Sequence, residues 1–324
     1  TLCLEQNAFT IEEKMSALQN LTLEEVAFLA KRFWKHCHLE GLVHGNVTAQ
    51  HAKDISEKIL QTLNRSPDGN GAPLARRVVQ FQPRASYLYR FKEFNDSNTN
   101  SCLHYLLQMG PLELYDNATL AFVHHLIREP AFNQLRTEEQ LGYIVHTSVK
   151  TSGDNIKGLL VMIQSDSFDP IHMEARVEEF LTKFRQKIVA MTPEDIQTNV
   201  DAVVASFLEK NRNLGEESYR YWHVISNQTF AFMRLQKLAE IVKGMTKERA
   251  LRFFDKYVIG SNRRKMCVQV FCKAHQEKMD SEVPVPEEGD AGVIVVKDPA
   301  EFKRTMPLYP LPAKVNVEVV DMKQ

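Results

Sequence analysis

The order of periodicities constrains this chain more than any single motif. Three strand-like runs, a helix and two further strand-like runs occupy residues 76–165. The chain is then helical for about 90 residues from Asp169, and one last apolar strand, KMCVQVFCKA, closes the pattern at 265–274. Strands, helix, strands, several helices, strand: this order specifies an α+β sandwich with helices on one face of a mostly antiparallel sheet.

The individual elements follow from local chemistry. RRVVQFQP (76–83), ASYLYRFKEF (85–94) and SCLHYLLQMG (101–110) are the first three strands, and the middle one puts Tyr87, Tyr89 and Phe91 on one face. A helix is expected from about Asp116 to Glu129, ending at Pro130. GYIVHTSVK and KGLLVMIQS then form two strands around the loop TSGDN. Thr192 and Pro193 supply a cap and a first-turn proline, and Thr246 caps the last helix. Upstream, the first 63 residues alternate helix, strand (LEGLVHGN), helix. Thr22 and Glu25 form a capping box there, Val26, Leu29, Ala30 and Phe33 follow at helical spacing, and Thr48 caps the next helix. NRSPDGNGAP is the clearest linker. The tail from His275 is rich in proline and acid, with a short GVIVV run, and reads as a surface-running extension.

Composition narrows the function. A length of 324 residues favours two domains, and 44% hydrophobic residues supply two cores. A net charge of −1 provides no field for nucleic acid or an acidic membrane, and no run approaches the length of a membrane helix. The five cysteines are scattered, with no C-x-x-C, which suits a reducing compartment, the cytosol. Six N-x-[ST] triplets would matter only in a secreted protein. The start TLCLEQNAFT has no initiator Met and reads as a chain cut from something longer.

The search for self-sufficient chemistry fails. Neither H-E-x-x-H nor H-x-x-E-H occurs among the eleven histidines. His36, His38 and Glu40 are ligand-rich, but no second cluster completes a site, so they read as structural. His124 and His125, adjacent on a helix, point about 100° apart and cannot share a metal. No G-x-S-x-G elbow occurs, and Cys102, Cys267 and Cys272 lie in apolar strands where a thiol is inert. GNGAP follows no strand and opens no helix, so it is no phosphate loop, and the aromatic strand lacks the basic context of a base-stacking platform. What remains is NQLRTEEQLGYIV at 133–145. Its Arg136 and Tyr143 are either a helix-end cation and a strand aromatic, or a pair that handles a ligand.

That stretch resembles the R-T-x-x-Q-L-G-Y segment of the inverzincin metallopeptidases, the pitrilysin/insulysin family. LEGLVHGNVT, GLLVMIQSD, RVEEFLTKF, LGEESYRYWHVISNQTFAF, MTKERALRFFDKYV and EFKRTMPLYPL extend the likeness over nearly the whole chain, in order. Nardilysin-type members depart further in these blocks. The resemblance implies the C-terminal half of an enzyme built from four homologous domains in two bowl-shaped halves around a chamber. Residues 1–63 would end the third domain, 64–75 link, 76–290 form the fourth, and 291–324 extend it. It implies that Zn2+ and its motif belong to the absent N-terminal half, with no metal in this chain, which alone would be inactive. Arg136 would contact substrate carbonyls and Tyr143 the oxyanion or substrate. Gln140 and Gly142 belong to the same substrate-binding segment, shaping its turn with Leu141. Lys210 and Arg212 occupy positions where the family carries anion-binding cations, diluted here by Asn211 and Asn213. The implied partners are the N-terminal half and short, insulin-like peptides, with a homodimer left open and no nucleic acid or membrane. The alternatives are a catalytically inactive scaffold and a peptide-binding homologue. Retention of both Arg136 and Tyr143 favours the peptidase.

Overall fold

A computed structural model of the chain describes residues 2–35, 37–63, 76–153, 155–260, 262–281, 283 and 292–311. The linker at 64–75 and His36 lie outside the described residues. Three helices come first: α1 (Ile11–Gln19), α2 (Leu23–Lys35) and α3 (Ala49–Thr62). The Thr22–Glu25 capping box is reciprocal, with both backbone amides satisfied by the partner's side chain, and Thr48 caps α3 through His51 N–H. Then follow β1 (Ser86–Lys92), β2 (Ser101–Pro111), α4 (Leu114–Ala131), β3 (Ile144–Ser152) and β4 (Ile156–Ser165). The helical stretch comprises α5 (Pro170–Ala190), α6 (Pro193–Leu208), α7 (Leu214–Ser226), α8 (Arg234–Lys243) and α9 (Lys247–Tyr257). After it come β5 (Lys265–Phe271), β6 (Val293–Val296) and α10 (Pro299–Thr305).

Among the described residues six strands form one mixed sheet in the order β3-β4-β2-β5-β1-β6. The β3–β4, β2–β4 and β2–β5 pairs are antiparallel, and β1 runs parallel to both β5 and β6. The expected final strand therefore returns across the helical layer and inserts between β2 and β1. Alternation along the strands divides the interior in two. Leu103, Tyr105, Leu107, Leu159, Val161 and Ile163 face the main core, where Phe122, Phe180, Phe184 and Phe254 of the helices meet them. Tyr87, Leu106, Leu160 and Met266 face the opposite side, under Cys3, Leu4, Phe81, Phe302 and Tyr309.

Four expectations change. LEGLVHGN forms no strand among the described residues and is held by side chains, His44 to Ser218 at 2.8 Å and Gln228 donating to Glu40 at 2.6 Å. RRVVQFQP shrinks to isolated bridges at Val78 and Val79. The buried Gln108 side chain takes the place of a strand neighbour there, donating to the Val79 carbonyl and accepting from Phe81 N–H. The GVIVV run is no surface coil but edge strand β6, and Phe302 of α10 enters the second core. The helix expected to stop at Pro130 runs through it to Ala131 and continues as a π-helix over Phe132–Glu138. A proline has no N–H to return to the carbonyl four residues back, and a widened turn accommodates that loss.

An ionic network ties α5 to β5. Glu178 contacts both Arg263 and Lys265, and Glu174 takes Lys265 at 2.8 Å and Gln269 at 2.6 Å. Burial works against the Glu178 charge, yet Lys265 and Arg263 hold its carboxyl below the ordinary range. Truncation at Glu178 would leave two largely buried cations without their shared partner. Glu178→Ala is expected to lower unfolding free energy by roughly 3 kcal/mol, measured by urea denaturation. A loss within a few tenths of a kcal/mol would make the network a solvated surface feature.

Candidate functional site

The site is assembled where α4 ends. Leu135 and Leu141, both essentially inaccessible, plug the π-helical turn and its exit into the main core. Glu139 N–H donates to the Gln134 carbonyl at 2.9 Å and Leu141 N–H to the Leu135 carbonyl at 3.0 Å. This is a Schellman-type cap widened by one residue, with Gln140 in the left-handed conformation at φ 51°. Gly142 then passes the backbone of β4 so closely that a Cβ would lie 2.0 Å from the Gln164 carbonyl oxygen. Ile144 pairs with that same Gln164 as β3 begins.

A second anchor comes from α5. Arg176 grips Glu139 in a bidentate pair, Nε to Oε2 at 2.7 Å and Nη2 to Oε1 at 2.9 Å, and also contacts Glu179. Gln134 adds a hydrogen bond to Glu139 at 2.9 Å. The Arg176 hydrogen bond is the main reason the Glu139 carboxyl lies below the ordinary glutamate range; burial opposes it and Gln134 assists.

On this anchored turn sit the two residues singled out by sequence. The Arg136 guanidinium lies 4.9 Å from the Phe132 ring centre and 5.1 Å from that of Tyr143. A planar cation between two rings is held by their negative faces, each contact worth about 0.5–1 kcal/mol where water has access. Tyr143 is 82% exposed, so its ring stands out from the surface rather than packing into the core. The pair thus presents guanidinium N–H groups and a phenol O–H side by side. Gln140 and Gly142 lie between them and set the path of the turn.

Lys210 and Arg212 are not brought to this turn by any contact among the described residues. They lie in the exposed connection between α6 and α7, where Arg212 pairs with Glu209 at 3.7 Å and its N–H donates to Glu216. His38 pairs with Glu40 at 3.3 Å. His124 and His125 are pushed below the ordinary histidine range, burial being the main cause for each. The cysteines are free, and burial raises the Cys102 and Cys267 thiols. Among the described residues no group of three or more His, Cys, Asp or Glu could hold a metal ion, and no helix is long and apolar enough to cross a membrane.

Two side chains that shape this turn escape a reading of the sequence. Phe132 was hidden because a helix ending at Pro130 would have left it in a loop. Arg176 lies 37 residues from Glu139, and nothing local announces the pair.

Residues 103–222 match the family described as PQQ synthase PqqF-like, C-terminal lobe domain 4. The chain is 30% identical over 95% of its length to an insulin-degrading enzyme-like protein of Arabidopsis thaliana named as peroxisomal, covering 32% of that protein. It is 31% identical over 96% of its length to the insulin-degrading enzyme of Homo sapiens, covering 31% of it. The chain therefore spans about a third of the length of these curated relatives. The crystal structure of pitrilysin superposes with a TM-score of 0.78 at 24% identity, covering 94% of this chain and 31% of that one.

Because the folded Glu139 pKa is depressed, its stabilisation is present above the unfolded glutamate value and is lost as pH falls through the lower folded value. Glu139→Gln should cost about 1–2 kcal/mol at neutral pH, with the difference closing in acid below the ordinary carboxylate range. Denaturation of both proteins across that range checks this; a constant difference would separate the anchor from its charge.

Proposed function

We propose, from the premise that this chain belongs to the family of pitrilysin and the insulin-degrading enzymes, that it is the substrate-contacting C-terminal half of a longer peptidase of that family. The observation that carries the reading is the half-buried Arg136 held against the exposed Tyr143 on a doubly anchored turn. A tyrosine kept for packing would be buried. One held against a guanidinium by a fixed backbone and left in solvent is suited to meet something from outside.

The chemistry suits a bound peptide. Arg136 supplies a fork of donors for substrate carbonyls. Tyr143 donates its phenol O–H to the carbonyl oxygen as negative charge develops on it, which is stronger in the transition state than in the ground state. Gln140, in its left-handed conformation, and Gly142, pressed against the β4 backbone, set the turn that carries both groups. Zinc, which the family implies, finds no ligand cluster among the described residues, so this chain's part is derived without it. In this reading the metal belongs to the N-terminal half.

The first helices support a partner of that kind. The apolar positions Val26, Leu29 and Phe33 of α2 are 49%, 62% and 58% exposed, a face suited to burial against further sequence of the longer protein. Residues 1–63 would then close one domain and 76–290 form the next, with 291–324 extending it. Lys210 and Arg212, exposed beside Glu209, read as rim charges able to meet an anion. Five free cysteines support a reducing compartment, the cytosol.

In the full-length protein, Tyr143→Phe should lower kcat about 100-fold, the scale of losing one oxyanion donor, with bound metal unchanged. Arg136→Gln should raise KM for peptide. Steady-state kinetics on a fluorogenic peptide, with metal analysis, tests both. Kinetics unaltered in both variants would return the pair to a packing role.

A further inference from the structure

A second polar feature lies where α9 packs against the start of α4, the end away from the Arg136 turn. A cleft of about 150 Å³ is bordered there by four charged side chains, Asp116 of α4 and Arg249, Arg252 and Lys256 of α9. Phe253 and Tyr257, only 5% and 6% exposed, form its apolar wall. The α9 residues recur at three- and four-residue spacing, so helical periodicity turns all of them toward the same space.

These charges do not satisfy one another. Among the described residues neither Asp116 nor any of the three cations forms an ion pair, whereas Glu174 and Glu178 pair with Arg263 and Lys265 between α5 and β5. Arg252 and Lys256 are exposed, so water meets their charge and they mark no site by themselves. Arg249 is different, being 6% exposed. Its guanidinium lies over the Tyr115 ring and Nη2 donates to the Tyr115 carbonyl, but Nε finds no partner among the described residues. A guanidinium buried beside a cleft without a carboxylate partner is costly to hold, and an anion entering the cleft offsets that cost.

We infer that this cleft is a binding site for a free acidic α-amino acid, glutamate or aspartate. Arg249 offers its planar fork to the α-carboxylate, and Asp116 accepts from the α-ammonium. Arg252 and Lys256, at the rim, meet the side-chain carboxylate, while Phe253 and Tyr257 cover the methylene carbons. An inorganic anion would satisfy the cations and be repelled by Asp116; a ligand with two carboxylates and one ammonium uses all four charges. The volume is below the roughly 300–1,000 Å³ of pockets that take drug-sized ligands, which suits a molecule as small as one amino acid. The site is separate from Lys210 and Arg212, which are exposed and lie before α7.

Calorimetric titration of the 324-residue chain with L-glutamate, L-aspartate, L-glutamine and glutarate at matched ionic strength tests this. Glutamate or aspartate is expected to bind at one site per chain. Glutamine, which lacks the second carboxylate, and glutarate, which lacks the ammonium, should each bind at least tenfold more weakly than glutamate. Two variants at positions that are not buried assign the contacts. Asp116→Asn should abolish the preference for glutamate over glutarate, and Arg252→Gln should reduce the preference for glutamate over glutamine. Arg249→Lys, which keeps the charge and loses the fork, should weaken glutamate at least tenfold; if it fails to fold, the other two variants decide. No heat with either acidic amino acid, glutarate or glutamine binding as tightly as glutamate, or preferences unchanged in both Asp116→Asn and Arg252→Gln would each overturn the inference.

Discussion

The geometry of the site depends on one close approach. At Gly142 the chain passes the Gln164 carbonyl at a separation that leaves no room for a Cβ. Because β3 starts two residues later against the same Gln164, the position at which Tyr143 leaves the surface is fixed by the sheet. Arg136 is fixed by the helix, through the buried Leu135 beside it. The Arg176–Glu139 pair then joins the turn to α5, which is itself bound to β5 through Glu174 and Glu178. Sheet, α4 and α5 thus each set one coordinate of the half-buried Arg136 and the exposed Tyr143.

The parts of the fold legible in the sequence were those specified locally. Caps at Thr22, Thr48, Thr192 and Thr246 announce helices because the capping residue and the amides it satisfies are three residues apart or fewer. The alternation in β1 announces a strand and assigns its faces. What escaped was specified at long range. Residues 76–83 look like a strand by composition, yet their partners are isolated bridges to Glu5 and Leu308 and the Gln108 side chain rather than a sheet neighbour. GVIVV looks like tail until β1 offers it an edge. Pro130 looks like a helix stop because the rule concerns hydrogen bonds, and a π-helical turn meets it in another way. At the site, the residue types of Arg136 and Tyr143 were conspicuous in the sequence. Their spacing in three dimensions, and the roles of Phe132 and Arg176, were set by that unforeseen turn.

The molecule handles buried charge in two contrasting ways. Between α5 and β5, cations and carboxylates are matched, so the network functions as a structural clamp. Near the α4 N-terminus, Arg234 and the buried Lys157 are instead met by neutral oxygens, those of Asn117 and Thr151. Arg136 thus lies just beyond one end of α4, flanked by aromatic rings, and Arg234 lies beside the other, bonded to Asn117.

The central claim is that this chain supplies one side of an active site whose other side lies on the rest of a longer protein. Reconstitution tests it most directly: the 324-residue chain is mixed with the separately produced upstream portion, and peptide hydrolysis is followed. The account predicts negligible turnover for either part alone and restored turnover in the mixture. Upstream turnover indifferent to the added chain, despite a demonstrated complex, would contradict it.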